Sequence, residues 1–326
     1  SLKLLRAFQL FINFQKEIIQ SSNLGEKISN WYVDHGRQNL PWRDSISPYR
    51  VWISEIMLQQ TQVNTAITYY ERFMAKYPDL ESIKNATEDD IYTLWSGLGY
   101  YRRANYIYQA KELIHNEFKG EMPNNYNELI SLPGIGKSTA GAILSIAFNK
   151  PYPILDANVK KVIGRIFFQK NFDEKKFWKL SEDLLDTKNI FNFQQGVMDL
   201  GSQLCLPKKP KCNLCPVNTN CESHLRNEYP LLAKKPIKRK KEFLEFQIIM
   251  KDQKFFMTKE NDLGYWNNLW MPPVQVLDHS EGDIIHKLSH RELNISFKYL
   301  KHTPQDVNGE WFHKKELALI AIPKPI

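Results

Sequence analysis

The spacing of apolar residues predicts that the first two thirds of the chain are α-helical. From residue 25 to about residue 221, apolar positions recur every three or four residues, which is the spacing of the buried face of a helix. The pattern is clearest in three segments, residues 51–70, 98–118 and 139–148. Glycine and proline lie between these segments and are expected to end the helices. We therefore predict one mainly α domain over residues 25–232.

The last quarter of the chain has a different pattern, in which apolar and polar residues alternate. Residues 243–248 and 293–299 alternate in this way, which predicts β-strands. The dipeptide Asn308-Gly309 is a strong turn signal and predicts a β-hairpin with the short segment from Glu310 to His313. A second, strand-rich domain is therefore predicted over residues 243–326.

Two further segments flank the predicted domains. Residues 233–242 are basic and contain proline, which predicts a solvated linker, with contact to DNA phosphates as the alternative. Residues 1–24 predict an N-terminal helical extension, because charged residues interrupt the apolar run from Leu2 to Ile19 as they do in an amphipathic helix. No apolar run reaches the roughly 18 residues that a membrane span requires, so no membrane association is expected.

The charge of the chain favours a polyanionic partner. Its 44 Lys and Arg against 36 Asp and Glu give a net charge of +8. Basic side chains that neutralise phosphates release condensed counterions, which favours binding to nucleic acid. Many basic proteins bind no nucleic acid, so the charge raises this expectation only about two-fold.

All four cysteines lie in one short segment, with the spacing Cys205-x6-Cys212-x2-Cys215-x5-Cys221. Disulfides are more often scattered, because they close long loops, so this clustering indicates a metal centre. Structural zinc and iron-sulfur clusters are both held by four cysteine thiolates. Zinc sites more often pair two C-x2-C hooks, and only one such hook occurs here, yet cysteine chemistry alone leaves the two alternatives open.

Two motifs in the helical region can serve either structure or chemistry. Gly134 and Gly136, in the segment 132–140, can take backbone angles closed to other residues and let main-chain N–H groups approach a phosphate at the start of the next helix. A simple turn between packed helices is the alternative. About twenty residues later, Asp156 stands between an apolar run and a helix, where an N-cap is the ordinary interpretation.

Together, the cysteine spacing, the glycine hairpin and the following aspartate resemble the endonuclease III superfamily of helix-hairpin-helix DNA glycosylases. The resemblance implies a two-lobed helical domain with a [4Fe-4S] cluster in the loop 205–221. It implies that Asp156 is catalytic and that its capping role coexists with catalysis. The cluster would then be held by Cys205, Cys212, Cys215 and Cys221. DNA phosphates would be bound by Gly134, Gly136 and Lys137.

Residues 40–43 and 48–63 narrow this resemblance to the adenine DNA glycosylases of the MutY type. In that family a glutamate matched by Glu55 protonates adenine, and the aspartate matched by Asp156 stabilises the sugar cation or its covalent adduct. The resemblance extends to residues that would contact the substrate, among which Gln60 and Tyr100 match residues that wedge into the vacated base stack. The other matching residues in the helical domain are Trp42, Arg43, Leu58, Thr61, Ser138, Asn158 and Asp199.

The chemistry of N-glycosidic cleavage explains why two carboxyl groups are needed. Positive charge develops on the sugar and negative charge on the departing base, so one carboxyl must donate a proton while the other stays charged. The base must also leave the helical stack before these groups can reach it. Ser138 stands where bifunctional relatives carry the lysine that forms a Schiff base, and Lys137 is one position too early. The resemblance therefore implies a monofunctional enzyme that uses water.

The C-terminal domain resembles the α+β Nudix-like domain that these glycosylases use to recognise 8-oxoguanine. Residues 269–273 are similar to the family's Leu-Trp-Glu-Phe-Pro, and Leu288-Ser289-His290 is similar to its Phe-Ser-His, with leucine replacing the aromatic residue. Ser289 and His290 would hydrogen-bond the edge of the base opposite adenine. Each is also compatible with an ordinary position at the end of a strand.

The resemblance implies an adenine glycosylase that acts as a monomer, in the cytoplasm or on the nucleoid, on duplex DNA containing adenine opposite 8-oxoguanine or guanine. One alternative is an endonuclease III-like glycosylase for damaged pyrimidines, which Ser138, residues 59–61 and the extra domain disfavour. The other is a non-catalytic DNA-binding or iron-sulfur sensing protein, which the presence of both Glu55 and Asp156 disfavours.

Overall fold

The computed structural model of the protein describes residues 24–232, 238–279, 282–304 and 306–326. The predicted helix from Leu2 to Ile19 and residues 233–237 of the predicted linker lie outside the described residues. The chain divides into two compact units. Among the described residues, the first unit comprises those in 24–60 and 113–232, and the second comprises those in 61–112 and from 238 onward.

Helices account for nearly all the regular structure before residue 232, which confirms the mainly α prediction. In chain order they are α1 (residues 24–35), α2 (Pro41–Asp44), α3 (Pro48–Leu58), α4 (Val63–Lys76), α5 (Leu80–Ile83), α6 (Glu88–Trp95), α7 (Arg102–Glu117), α8 (Tyr126–Ser131), α9 (Lys137–Ala142), α10 (Ala157–Ile166), α11 (Glu174–Asp183), α12 (Ile190–Asp199) and α13 (Glu222–Leu225). The chain continues from α9 and from α12 as π-helical segments, Ile143–Ala147 and Leu200–Leu204. None of the described helices is long and apolar enough to span a membrane.

The first unit is organised around α3 and the two π-helical segments. Ser47 caps α3 by accepting a hydrogen bond from the Arg50 amide, and Pro48 occupies the first turn, where its missing N–H costs nothing. The apolar face of α3 is completely buried and packs against α9 and the segment Ile143–Ala147. Gly141 on α9 also lies close to Pro153, whose carbonyl oxygen would be 2.2 Å from a Cβ at position 141, so only glycine fits there.

The apolar segment 51–70 forms two helices rather than one. Helix α3 ends at Leu58, and α4 begins at Val63. Gln60 between them has φ of 56°, in the left-handed region that a right-handed helix cannot pass through. The apolar period continues across this break, so hydrophobic spacing alone did not reveal it.

The second unit contains α4, α5, α6 and most of α7, together with a six-stranded mixed sheet. The strands are β1 (Lys240–Lys251), β2 (Lys254–Met257), β3 (Val274–Leu277), β4 (Ile284–Lys287), β5 (Arg291–Leu300) and β6 (Glu310–His313). The sheet order is β4-β5-β1-β2-β6, with β3 also paired to β1. The central pair β1 and β5 is parallel and places Phe246 opposite Phe297, whereas the other pairs are antiparallel. The two predicted alternating segments are therefore confirmed as strands.

Two expectations for the C-terminal region are wrong. In the described residues from 238 onward the only helical segment is the 3-10 turn Glu316–Leu319, so this region has no α-helix to make it α+β. The predicted hairpin at Asn308-Gly309 is also absent, because β6 pairs with β2, far earlier in the chain. Neither turn residue has the positive φ that a two-residue hairpin requires. Gly309 instead permits close packing, since a Cβ there would lie 2.4 Å from the Met257 carbonyl oxygen.

Candidate active site

Two carboxyl groups of the first unit, on different elements, are close enough to interact electrostatically. Glu55 lies on α3, and Asp156 is the N-cap residue of α10. The Asp156 carboxylate accepts a 2.7 Å hydrogen bond from the Val159 amide and a 3.4 Å bond from the Asn158 side chain. The N-cap interpretation is therefore confirmed, and this cap holds Asp156 in one position beside Glu55.

The surroundings of the two carboxyl groups differ in kind. Burial and the nearby charge of Asp156 raise the pKa of Glu55 to about 7, against a smaller opposing effect of the Arg43 charge. Burial also raises the pKa of Asp156, but hydrogen bonds from Val159 and Asn158 and the charge of Lys161 favour its charged form. Glu55 is thus the carboxyl whose pKa lies near neutrality, whereas Asp156, although burial raises its pKa too, receives hydrogen bonds that favour the carboxylate form.

Asp199 and two arginines form a buried ion network next to this pair. The fully buried Asp199 accepts hydrogen bonds from Arg43 Nη1 at 2.8 Å and Nη2 at 3.1 Å. Arg37 donates to the same carboxylate through its amide, Nε and Nη2, the last at 2.5 Å. Burial opposes ionisation, yet the hydrogen bonds and charges of the two arginines lower the pKa of Asp199 below its usual value.

In this network Asp199 orients the arginine side chains and is not itself open to a ligand. Its oxygens are engaged by arginine donors, and the Arg43 side chain that it fixes is only 4% exposed. The sequence did not predict Arg37 as a site residue, because it lies 162 residues from Asp199 and only the fold brings the two together. Trp42, on the neighbouring helix α2, is buried as well.

The glycine hairpin precedes α9 and differs in part from the prediction. Gly134 has φ of 80° and needs the freedom of glycine. Gly136, the N-cap of α9, has φ of −86° and ψ of 176°, so the expectation that it takes an angle closed to other residues is wrong. A Cβ at Gly136 would meet no heavy atom within 4 Å. The absence of a side chain at position 136 instead leaves the backbone at the start of α9 uncovered.

Ser138 and Lys137 have different environments despite being adjacent. Ser138 Oγ accepts a 3.1 Å hydrogen bond from the Leu155 amide, the residue before Asp156. The Lys137 side chain is 65% exposed, and its Nζ lies 4.0 Å from the Glu174 carboxylate. The side chain at position 138 is thus the one directed toward the Leu155-Asp156 segment.

Asn158 is held against the π-helical segment Leu200–Leu204. A Cβ at Gly201 would lie 2.5 Å from the Asn158 Cβ and 2.9 Å from its carbonyl oxygen, so only glycine fits. The sequence drew attention to Asp199 in this motif, but Gly201 is the residue that touches Asn158. A π-helical segment is a common feature of functional sites, and hydrophobic spacing does not distinguish it from an α-helix.

The remaining predicted contacts are distributed over both units. In the first unit, Leu58 ends α3 and Gln60 is the exposed left-handed residue after it. In the second unit, Thr61 is partly buried, and Tyr100 is 47% exposed with φ of 53°. Ser289 Oγ donates a 3.3 Å hydrogen bond to Tyr100 Oη.

The turn between β4 and β5 carries Ser289 and His290. The Lys240 amide donates a 3.0 Å hydrogen bond to the carbonyl oxygen of His290, the last residue of this turn. Arg239 Nε donates to the Leu288 carbonyl oxygen, also at 3.0 Å. Strand β1 thus begins within the predicted linker, and the last linker residues hold this turn.

The four cysteines line one cavity in the first unit. Cys205 Sγ accepts a 3.4 Å hydrogen bond from the buried Arg165, and Cys212 Sγ lies 3.6 Å from Tyr229 Oη. Burial raises the pKa of Cys205 and Cys221 and raises that of Cys215 to about 12. All four are free thiols, and among the described residues no three His, Cys, Asp or Glu side chains are grouped tightly enough to hold a metal ion.

Comparison with known proteins gives consistent results. Residues 53–186 match the family described as HhH-GPD superfamily base excision DNA repair protein. The adenine DNA glycosylase of Buchnera aphidicola subsp. Schizaphis graminum is 38% identical over 333 residues, covering 92% of this chain and 95% of that protein. The human adenine DNA glycosylase is 34% identical over 227 residues, covering 65% of this chain and 41% of that protein.

Solved structures support the fold of the helical region. A thermostable thymine-DNA glycosylase superposes with a TM-score of 0.58 at 29% identity, covering 64% of this chain and 98% of that one. An endonuclease III in a non-covalent complex with DNA superposes with a TM-score of 0.55, covering 64% of this chain and 97% of that one. At 19% identity, the second similarity is one of fold.

Proposed function

This chain belongs to the adenine DNA glycosylases of the HhH-GPD superfamily, and we propose that it is a monofunctional enzyme that removes adenine opposite 8-oxoguanine or guanine. The observation that carries the proposal is the pair of buried carboxyl groups that differ in their hydrogen bonds. Glu55 has a pKa of about 7, and Asp156, as the N-cap of α10, accepts hydrogen bonds that favour its carboxylate form. We propose that Glu55 donates a proton while Asp156 acts as the carboxylate.

In the proposed reaction, Glu55 donates its proton to a ring nitrogen of the extruded adenine. The N-glycosidic bond then breaks with its electron pair going to the base, and positive charge develops on the sugar. The Asp156 carboxylate stabilises that charge until a water molecule adds its oxygen to the sugar carbon and releases a proton to Glu55. The products are free adenine and an abasic site in an uncut strand.

The adenine pocket is proposed to combine the buried arginine network with nearby apolar side chains. Arg43 is oriented by Asp199, and its buried Nε, which has no hydrogen-bond partner within the described residues, would be the donor that meets a base. Trp42, Leu58 and Asn158 would supply the remaining walls. Gln60, Thr61 and Tyr100 are proposed to contact the vacated stack, while Gly134, Gly136 and Lys137 would approach the phosphates at the uncovered start of α9.

The loop 205–221 is proposed to hold a [4Fe-4S] cluster through Cys205, Cys212, Cys215 and Cys221. Four thiols converge on one cavity, and Arg165 and Tyr229 provide polar contacts to two of the sulfurs, as is common around iron-sulfur centres. The cluster would order the loop and take no part in the cleavage. Iron and acid-labile sulfide in natively purified protein would support this assignment, whereas stoichiometric zinc would refute it.

Replacing Ser138 with lysine is expected to create a bifunctional enzyme. The side chain at 138 is directed toward the Leu155-Asp156 segment, so an amine there can reach the sugar carbon and form a Schiff base. Borohydride should then trap a covalent adduct between protein and DNA, which the wild type should not give. Ser138→Met, of similar length but without an amine, is the matched control. Equal trapping with both variants, or with neither, contradicts this assignment of the turn.

Recognition of 8-oxoguanine is proposed to involve Ser289 and His290 in the turn between β4 and β5. Ser289→Ala is expected to lower the excision rate for adenine opposite 8-oxoguanine by about tenfold, the value of one hydrogen bond to a base edge, with little effect opposite guanine. Single-turnover rates with the two duplexes give the ratio. Ser296→Ala, on β5 of the same sheet, is the control. An unchanged ratio for Ser289→Ala would contradict the assignment.

The same duplexes separate the proposed function from its alternatives. Cleavage at adenine that appears only after alkali treatment is the result expected of a monofunctional adenine glycosylase. Spontaneous cleavage at oxidised pyrimidines would indicate an endonuclease III-like enzyme. Binding without any excision would indicate a DNA-binding or sensing protein. All the proposed site residues come from one chain, so we propose that the monomer is sufficient for activity.

A further inference from the structure

The loop between α6 and α7 has an unusual concentration of left-handed residues. Gly97 has φ of 89°, Gly99 of 78° and Tyr100 of 53°. Glycine takes such angles freely, but in a tyrosine the Cβ crowds the backbone, and the strain persists only where neighbouring groups enforce it. Tyr100 is also 47% exposed, so its ring is not fixed by burial. Something else in the second unit must determine where this ring points.

Arg103 makes most of the contacts that enforce the loop. It is only 5% exposed, and its Nη2 donates a 2.9 Å hydrogen bond to the Gly99 carbonyl oxygen. Its amide donates to the Tyr100 carbonyl oxygen at 2.9 Å, and its Nε is 3.4 Å from that oxygen. The guanidinium carbon lies 5.5 Å from the centroid of the Tyr100 ring and 5.1 Å from that of Trp95.

Two other side chains, Trp95 and Tyr101, add to the support of the loop backbone, and Ser289 Oγ donates to the Tyr100 hydroxyl. Trp95 Nε1 donates to the same Gly99 carbonyl oxygen at 3.1 Å. Tyr101 Oη accepts a 3.1 Å hydrogen bond from the Gly97 amide and donates at 2.9 Å to the Ile322 carbonyl oxygen. The guanidinium of Arg103 lies against two aromatic rings while one edge donates to the loop backbone, a combination that a lysine ammonium cannot reproduce.

We propose that Arg103 is a positioning residue for Tyr100, setting the left-handed backbone and the ring orientation with which Tyr100 enters the base stack. The inference rests on the proposed function, because it takes Tyr100 as the residue that enters the stack. Arg103 acts through Tyr100 and need not touch DNA. Its removal should leave the carboxyl chemistry intact and slow the extrusion of adenine.

A double-mutant cycle tests this coupling. Arg103→Met is expected to lower the single-turnover excision rate roughly tenfold in the wild-type background and less than about twofold in a Tyr100→Ala background, because coupled neighbours are not additive. Placing the fluorescent base 2-aminopurine beside the adenine reports unstacking directly. Arg103→Met should reduce this signal as Tyr100→Ala does.

Arg102 supplies the matched control. It is the preceding residue of α7, is exposed and lies over the Tyr106 ring with its guanidinium carbon 5.3 Å from the centroid. Arg102→Met should change the rate by the same factor in both backgrounds and leave the unstacking signal unchanged. Arg103→Lys, which keeps the charge and loses the planar donors, is compared in the same cycle if Arg103→Met fails to fold, and it should show the same dependence on Tyr100.

The outcomes separate this inference from the function on which it rests. If the Arg103 variant slows excision by the same factor with and without the Tyr100 ring, Arg103 does not act through Tyr100 and the inference is overturned. If Tyr100→Ala itself leaves both excision and unstacking unchanged, Tyr100 is not the wedge, and that part of the proposed function fails first. A rate loss confined to the Tyr100 background, with reduced unstacking, supports the proposal.

Discussion

Replacing Glu55 with glutamine is expected to lower the rate of adenine excision about 10²- to 10⁴-fold, the range that a positioned general acid contributes. Glutamine keeps the shape of the side chain and loses the acidic proton, so duplex binding should be nearly unchanged. Single-turnover excision and binding, measured on the same duplex, separate the two effects. Glu182→Gln, an exposed site in the same unit, is the control and should behave as wild type.

The pH dependence of the wild-type excision rate tests the role of Glu55 as the acid in a second way. Because Glu55 acts in its protonated form and its pKa is about 7, the excision rate should fall as the pH rises above about 7. Full activity of Glu55→Gln, or a wild-type rate that does not decline between pH 7 and 9, would remove Glu55 from the role of acid.

Replacing Glu55 with glutamine should raise the stability of the protein at alkaline pH although it lowers the activity. The pKa of Glu55 is raised in the folded protein, so between its usual value of 4.5 and about 7 the folded state holds a proton that the unfolded state has lost. The free energy of unfolding therefore decreases as pH rises through this window. Glu55→Gln removes the buried charge, and at pH 8 we expect it to be more stable than wild type by about 1–2 kcal/mol. Chemical denaturation at pH 5 and pH 8 measures the difference.

The sequence predicts the parts of the fold that depend on local spacing. The helical period before residue 232 and the alternation after residue 242 are confirmed, because each helix or strand must turn its apolar residues to a core. The N-cap position of Asp156 could also be predicted, since capping is decided within three residues of the cap. The catalytic and substrate-binding roles themselves remain predictions.

The features that could not be predicted depend on residues far apart in the chain or on backbone angles. Arg37 reaches Asp199 across 162 residues, and Gly309 makes room for Met257 on another strand. The left-handed angle of Gln60 splits one apolar period into two helices, and the π-helical segments keep the same apolar composition as α-helices. Hydrophobic spacing carries no information about any of these.

Local motifs identify the carboxyl pair, while distant residues modulate the pKa of Glu55. Burial and Asp156 raise this pKa, and Arg43, held in place by Asp199, which also binds Arg37, opposes the rise with a smaller effect. Residues from α2, α12 and the segment before α2 therefore adjust the acid without setting its protonation alone. Substitutions in this network should shift the pH profile even where they leave the pocket shape unchanged.

Replacing Asp156 with asparagine is expected to reduce excision about 10²- to 10³-fold, because the developing charge on the sugar loses its electrostatic partner. Asparagine caps helices as well as aspartate does, so the hydrogen bond from the Val159 amide can persist, and stability should change by less than about 0.5 kcal/mol. Asp156→Ala removes the cap as well, and it should be less stable by about 1 kcal/mol.

Asp173 provides a matched control for the loss of charge at a helix N-terminus. It caps α11 by accepting a 2.8 Å hydrogen bond from the Lys176 amide, so Asp173→Asn repeats the substitution in the same unit at another cap. Asp173→Asn should excise adenine at the wild-type rate. Similar losses in the two variants would mean that the loss of a charge at a helix N-terminus, rather than of the charge beside the sugar, explains the effect of Asp156→Asn.

The residual activity of Asp156→Asn allows a further test of the electrostatic coupling between the two carboxyl groups. The negative charge of Asp156 raises the pKa of Glu55, so its removal should lower that pKa and move the decline of the rate with pH to below about 7. A purely structural role for Asp156 predicts a slower enzyme with an unchanged pH profile. A shift toward lower pH, combined with unaltered stability, therefore distinguishes electrostatic coupling between the two carboxyl groups from support of the helix alone.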